Sequence, residues 1–131
     1  MFLTRRQAAT RALVNEAEIV AALAPFGIEV MVAEDLSLIE QLHRFAEAEL
    51  IVTPLGGGSA AQLFAPTTAA IVELTHRHVL LPQYGIVAAL LGQRYRQLVG
   101  PTVWNRHPGN FDWDFTVEPA AVVRAVRELI D

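Results

Sequence analysis

The chain has 131 residues, of which 53% are hydrophobic and 18% charged, and its net charge is −4. This length and apolar content predict one domain with a buried core. The acidic balance argues against nucleic-acid binding, which needs a broad basic face. The chain has no cysteine, which excludes disulfides and cysteine-ligated metals. No apolar run reaches the roughly 18 residues of a membrane helix, so we expect no membrane insertion and a cytoplasmic location.

Apolar segments alternate with segments of helical periodicity along the chain. Strands are predicted over 1–5, 28–33, 49–54, 69–74 and 95–99, and helices over about 15–24, 37–46, 59–64, 82–91 and 119–130. Asn15 with Glu18, and Ser37 with Glu40, have the spacing of capping boxes. The alternation predicts βαβ units. We therefore expect a Rossmann-like three-layer α/β sandwich with a mostly parallel five-strand sheet, in the order 3-2-1-4-5.

Three consecutive glycines, Gly56, Gly57 and Gly58, follow the third predicted strand, and Ser59 comes next as a candidate cap for a short helix. A glycine-rich loop between a strand and a helix brings backbone amides close to an anion, and the helix N-terminus adds a favourable dipole. The pattern is neither GxGxxG nor a P-loop, so the alternative is a turn with close helix–strand packing. We expect the glycines to permit close backbone approach, with positive φ at Gly57.

Polar side chains follow three of the predicted strands. Arg5 and Arg6 follow the first, the glycine loop follows the third, and Glu73 closes the fourth. The carboxyl ends of parallel strands share one edge, where open α/β sheets bind ligands. Arg5, Arg6 and Arg11 are candidates to bind a diphosphate, and Glu73 to accept hydrogen bonds from a ribose. The alternatives are a solvated strand end for the arginines and a structural role for Glu73.

The other candidate residues point to structure rather than chemistry. His76 and His78 lack a nearby carboxylate in the sequence, so we expect an ordinary loop, with no metal and no cofactor. Trp104, Phe111 and Trp113 are expected to cover an edge of the core. Since no set of nucleophile, base and orienting group can be assembled, the sequence leaves the catalytic residues unidentified.

The ordered series of motifs resembles the glycosyltransferase 61 family. The segment TRRQAATRALVNEAEIVAAL resembles the family's paired arginines, a further arginine and an Asn-Glu at a helix start. VTPLGGGSAAQLFAP resembles its Gly-Pro-His-Gly-Ala-Gly stretch, and AAIVEL its following Val-Val-Glu-Leu strand. YGIVAALLGQRYRQLVG and DFTVEPAAV resemble later blocks, so that the resemblance covers about residues 1–130.

The resemblance implies an inverting transferase that uses a nucleotide sugar, here a UDP-linked one, in polysaccharide or glycan synthesis. The family has two Rossmann-like domains facing a cleft (the GT-B type), and residues 1–131 resemble the single donor-binding, C-terminal domain. The positions that match its donor-site motifs are Arg5, Arg6, Arg11, Asn15, Gly56, Gly57, Gly58, Ser59 and Glu73. The acceptor-binding N-terminal domain is then expected from elsewhere, as a further domain or a partner chain, and the isolated chain is expected to be inactive alone.

Three positions depart from the family pattern. Leu55 stands where the family has histidine, and Ala60 and Ala61 stand where it has threonine and asparagine. Each change removes a hydrogen-bonding group from the proposed pocket. They motivate a second hypothesis, a non-catalytic interaction or scaffold domain derived from such an enzyme, which presents an apolar surface to a partner or forms a homodimer.

Overall fold

The computed structural model describes residues 1–103 and 107–131, which form a five-stranded parallel sheet between two helical layers. The strands are β1 (Phe2–Leu3), β2 (Val30–Met31), β3 (Leu50–Pro54), β4 (Ala70–His76) and β5 (Arg94–Gly100). The α-helices are α1 (Glu16–Leu23), α2 (Leu38–Ala46), α3 (Gln83–Leu91) and α4 (Pro119–Ile130), and a 3₁₀ segment spans Gly57–Phe64. The predicted Rossmann-like α/β class is confirmed.

Each face of the sheet carries its own apolar cluster, because successive side chains of a strand point to opposite faces. Val52 and Val72 pack with residues of α1 and α4 on one face. Ile51 and Ile71 pack on the other face, in a cluster that includes Phe45 of α2. The central strands β3 and β4 are thus buried on both sides, as parallel strands generally are. None of the helices within the described ranges is long and apolar enough to cross a membrane.

The strand order is β2-β1-β3-β4-β5, so the expected order 3-2-1-4-5 is wrong. The chain steps outward from β1 to β2 and then crosses back over β1 to reach β3. Both orders are doubly wound folds, and the alternation of strands and helices in the sequence does not distinguish them. In the observed order the topological switch point lies between β1 and β3, whose carboxyl ends therefore flank a crevice.

The two predicted capping boxes have different outcomes. At α2, Ser37 Oγ accepts from the Glu40 amide at 3.3 Å and the Glu40 carboxylate accepts from the Ser37 amide at 2.8 Å, which confirms the box. At α1 the prediction is wrong, because Asn15 makes no cap hydrogen bond. Its side chain instead donates to the Val117 carbonyl at 2.8 Å and accepts from the Val117 amide at 3.2 Å. This long-range pairing satisfies the backbone of the segment before α4.

The end of β5 supplies a test of the fold. A Cβ added to Gly100 would lie 1.7 Å from the carbonyl oxygen of Thr116, so the backbone would have to move. We expect Gly100→Ala to lower the free energy of unfolding by about 3 kcal/mol. In Gly109→Ala the new Cβ meets nothing within 4 Å, so that control should change stability by less than about 0.5 kcal/mol. Urea unfolding followed by circular dichroism measures the stability of both variants. A Gly100→Ala variant as stable as wild type would contradict the close contact between Gly100 and Thr116.

Candidate functional site

A crevice of about 80 Å³ opens at the carboxyl ends of β1 and β3. Its walls come from these two strand ends, from the loops that follow them and from the segment after β2: Leu3, Thr4, Arg5, Ala33, Glu34, Thr53, Pro54, Gly56, Gly58 and Ser59. This is the switch point, where open α/β sheets bind ligands. The crevice is smaller than the roughly 300 Å³ or more of most small-molecule pockets. A nucleotide bound here would therefore extend beyond it along the carboxyl edge of the sheet.

Arg5 lies against the glycine loop. Its Nη1 donates to the Leu55 carbonyl at 2.7 Å. A Cβ at Gly56 would come within 2.8 Å of Arg5 Nε, so the glycine makes room for the guanidinium. Burial lowers the pKa of Arg5 from its usual value, and the positive charge of Arg11 lowers it further. Arg5 therefore both shapes the loop and contributes positive charge to this edge.

The three loop glycines are not equivalent. Gly56 borders Arg5, a Cβ at Gly58 would lie 3.2 Å from Leu3 Cδ2, and one at Gly57 would meet nothing within 4 Å. The expected positive φ at Gly57 is wrong, because the glycines with positive φ in the described ranges are Gly27 and Gly92. Gly56 and Gly58 thus allow the side chains of Arg5 and Leu3 to approach the loop closely, while Gly57 faces open space.

The helix predicted over 59–64 is a 3₁₀ segment whose N-cap is Gly56, so the predicted cap at Ser59 is wrong. The amide of Ser59 donates to the Gly56 carbonyl at 3.0 Å, and the amides of Gly57 and Gly58 precede this first hydrogen bond of the segment. Ser59 Oγ is buried and has no hydrogen-bond partner in the part of the chain that the structure describes. Amides at the start of such a segment are suited to binding an anion.

Arg6 is exposed three residues after the end of β1. Its backbone amide donates to Thr4 Oγ1 at 3.1 Å, and Thr4 Oγ1 in turn donates to Glu16 Oε1 at 2.5 Å. This chain of contacts fixes the backbone at the carboxyl end of β1 and leaves the Arg6 side chain in solvent. Since Arg5 is held by the glycine loop, the two adjacent arginines have different environments.

Arg11 is held by the loop that follows β5. Its backbone is in the left-handed region with φ of 54°, a conformation that non-glycine residues seldom adopt. Its Nη1 lies 3.5 Å from Asp112 Oδ1, and its Cζ lies 4.8 Å from the centroid of the Phe111 ring. Phe111 thus stacks with an arginine and is 44% exposed. Trp104, which was predicted to cover the core with it, lies outside the described residues.

Glu73 lies within β4 rather than at its end, because the strand continues to His76. Its Oε1 accepts from Tyr95 Oη at 2.9 Å and from Gln97 Nε2 at 2.8 Å. Its Oε2 is buried without a partner in residues 1–103 and 107–131. Burial raises the pKa of Glu73, although the hydrogen bonds from Gln97 and Tyr95 act to lower it. The side chain is 1% exposed, so Oε2 is the oxygen left for any further contact.

The two histidines after Glu73 lie at the same end of β4. His76 is fully buried, and its Nδ1 accepts from the amide of His78 at 3.3 Å. Burial lowers the pKa of His76, with smaller contributions in the same direction from His78 and Arg11. Among the residues that the structure describes, no three His, Cys, Asp or Glu side chains are grouped to hold a metal ion.

Two tyrosines that are not among the predicted site residues contact the site directly. Tyr84 Oη donates to the Gly56 carbonyl at 3.0 Å, and Tyr95 binds Glu73. Burial raises the pKa of Tyr84, and the charge of Glu73 adds to that effect. The strand pattern could have indicated the contact between Glu73 and Gln97, because these two residues pair in register on β4 and β5. No sequence signal identified Tyr84, which reaches the loop from α3.

The comparison with protein families identifies part of this arrangement. The family model described as Glycosyltransferase 61 matches residues 1–72. The matched segment runs from β1 into β4 and contains the glycine loop and the arginines Arg5, Arg6 and Arg11. It ends one residue before Glu73. No curated protein matches the chain.

The buried carboxyl of Glu73 predicts a pH-dependent stability. With a raised pKa, the folded state holds a proton that the unfolded state loses, so the free energy of unfolding falls as pH rises from the unfolded pKa through the folded pKa. Glu73→Gln removes this titration and keeps an acceptor oxygen. We expect the stability of the variant relative to wild type to increase from pH 4 to pH 8. Glu18→Gln, at an exposed position of α1, is the control for the loss of a charge. A difference independent of pH in urea titrations would contradict the raised pKa.

Proposed function

The chain belongs to the glycosyltransferase 61 family, and we propose that it binds the nucleotide-sugar donor of a glycosyl transfer reaction. The observation that carries this proposal is the group of arginines and amides at the β1–β3 switch point. Arg5 borders the crevice beside Gly56, and Arg6 is exposed next to it. The donor carries a negatively charged diphosphate, which guanidinium groups and the amides at a helix start bind well.

The diphosphate is proposed to lie across the start of the 3₁₀ segment. The amides of Gly57 and Gly58 would donate to it, Arg6 would pair with it from solvent, and Arg5 would supply positive charge from the side. Arg11 is close enough to influence the pKa of Arg5, so it adds to the same positive potential. Such groups would stabilise the diphosphate as it leaves with negative charge, which is the electrostatic requirement of the transfer.

We assign the ribose to the region of Glu73. The charges of Glu73 and Arg5 both influence the pKa of Tyr84, so these three side chains belong to one region of the carboxyl edge. The unpartnered Oε2 of Glu73 would accept a hydrogen bond from a ribose hydroxyl. Because Glu73 is 1% exposed, the ribose can reach it only if the side chains packed over it shift. Asn15 is assigned a positioning role, since its side chain is bound to Val117.

The proposal gives this chain the donor half of the reaction. An inverting transfer also needs a base that removes the proton of the acceptor hydroxyl. We propose that this base and the acceptor site come from an N-terminal domain or a partner chain, as the family resemblance implies, and that the product is a polysaccharide or glycan. The alternative function, a non-catalytic interaction domain, is favoured by the apolar surface of α3, where Ile86 and Leu90 are exposed.

Arg6 offers the clearest test of donor binding, because its exposed side chain contributes little to the fold. We expect uridine diphosphate to bind wild type and Arg6→Ala to weaken binding about tenfold, or about 1.4 kcal/mol, through the lost charge-assisted hydrogen bonds. Arg124→Ala, at an exposed position of α4, removes the same charge elsewhere and should bind as wild type does. Isothermal titration calorimetry with uridine, guanosine and adenosine diphosphates measures this, and no heat at millimolar concentration with any of them would contradict the proposal.

Gly57 separates ligand binding from packing. Its added Cβ would meet nothing within 4 Å, so Gly57→Val should change the free energy of unfolding by less than about 1 kcal/mol. The valine side chain would nevertheless cover the amides at the start of the 3₁₀ segment and block an anion. In thermal melts, uridine diphosphate at about 100 times its dissociation constant should stabilise wild type by about 2.7 kcal/mol and the variant by much less. Gly109→Val is the matched control, and a variant that binds as tightly as wild type would exclude the loop as the phosphate site.

A further inference from the structure

Two stretches of the chain that lie together carry no charged side chains. Residues 51–72 and 79–93 contain no Asp, Glu, Lys or Arg. These two stretches include the whole 3₁₀ segment (Gly57–Phe64) and the whole of α3 (Gln83–Leu91), which pack against each other. By contrast, α2 and α4 carry charged residues among their apolar ones. The net charge of −4 is therefore borne by the rest of the surface.

The outer side of α3 is apolar. Ile86 is 55% exposed and Leu90 is 81% exposed, and residues four apart share one side of a helix. The opposite side is packed, with Ala88 fully buried and Gly85 against the ring of Tyr95. A helix on the surface of a soluble protein usually turns charged or polar residues outward, whereas a helix that is apolar all round is covered. The sequence of α3 is thus that of a covered helix.

The 3₁₀ segment, which packs against α3, also exposes apolar side chains. Leu63 and Phe64 are 55% and 54% exposed. Gln62 Nε2 donates to the Tyr84 carbonyl at 2.9 Å, and Gln93 Nε2 donates to the Gln62 carbonyl at 3.0 Å. These bonds fasten the segment to both ends of α3. We call the exposed side chains of Leu63, Phe64, Ile86 and Leu90 the uncharged face.

We propose that the uncharged face is the two-fold interface of a homodimer. In a two-fold interface each patch meets its own copy, so like charges would oppose each other, and a patch without charges avoids that penalty. Its four large side chains together expose on the order of 400–500 Å², about half of the roughly 800 Å² that each partner buries in a standard interface.

Other occupants fit the face less well. A membrane-surface helix carries Lys or Arg on its polar side, and α3 has neither. A strongly acidic or basic partner would find no countercharge on Leu63, Phe64, Ile86 or Leu90. The proposal depends on exposure and charge alone, so it stands independently of nucleotide binding.

The test is the mass of the full chain in solution. Light scattering coupled to gel filtration should give about twice the monomer mass of 14.4 kDa for wild type, and the melting temperature should rise with protein concentration. Leu90→Arg should give the monomer mass and a melting temperature independent of concentration, because it opposes two buried positive charges across the axis. Ile39→Arg is the matched control: Ile39 is 69% exposed on α2, also a nine-residue helix, and the variant should remain a dimer.

The remaining outcomes are decisive too. Leu90 is exposed, so Leu90→Arg should fold, which circular dichroism verifies. Leu90→Gln, which adds no charge, should raise the dissociation constant of the dimer at least tenfold, as measured by sedimentation equilibrium. A monomeric wild type at high micromolar concentration would overturn the proposal. So would a wild-type dimer that Leu90→Arg leaves intact.

Discussion

The structure depends on the pairing of β1 with β2 on one side and β3 on the other. The strand has two residues, Phe2 and Leu3, and both are almost fully buried. The amide of Phe2 donates to the Glu29 carbonyl at 2.7 Å, and the amide of Val52 donates to the Met1 carbonyl at 3.0 Å. Few backbone hydrogen bonds therefore join β2 to the rest of the sheet. Because the chain leaves β1 at the switch point, the same pairing delivers Arg5 to the glycine loop of β3.

The fold class could be predicted from the sequence because it depends on periodicity. Continuous apolar strands that alternate with helices admit few architectures, and the described elements lie close to the predicted ranges. The strand order could not be predicted, since the chain gives no local sign of the side of β1 on which β3 pairs. Similarly, Asn15 has the local pattern of a cap, but its hydrogen bonds go to Val117, which is distant in sequence. Tertiary contacts decided both cases.

The sequence predicted the edge of the sheet at which the candidate site lies, but it did not predict that Glu73 is buried within β4. The arginines and the glycine loop were expected at one edge because parallel strands end together, and Arg5 does lie against Gly56. Glu73 was expected at a strand end because polar residues follow it, but Thr75 and His76 are buried and prolong the strand. Polar residues at the end of a buried strand thus hide its true length. The role of Tyr84 depends on how α3 packs, which no local pattern encodes.

Arg5 and Gly56 fit together, and this has a consequence for how the loop can vary. The guanidinium occupies the volume that a side chain at position 56 would need, while the Leu55 carbonyl accepts its hydrogen bond. The two positions are therefore coupled: a larger residue at 56 would displace the Arg5 side chain, and a shorter residue at 5 would remove the hydrogen bond to the Leu55 carbonyl. Their substitutions should be non-additive, as for any two residues in contact. In a set of related sequences, such a pair would appear as coupled positions in two distant motifs.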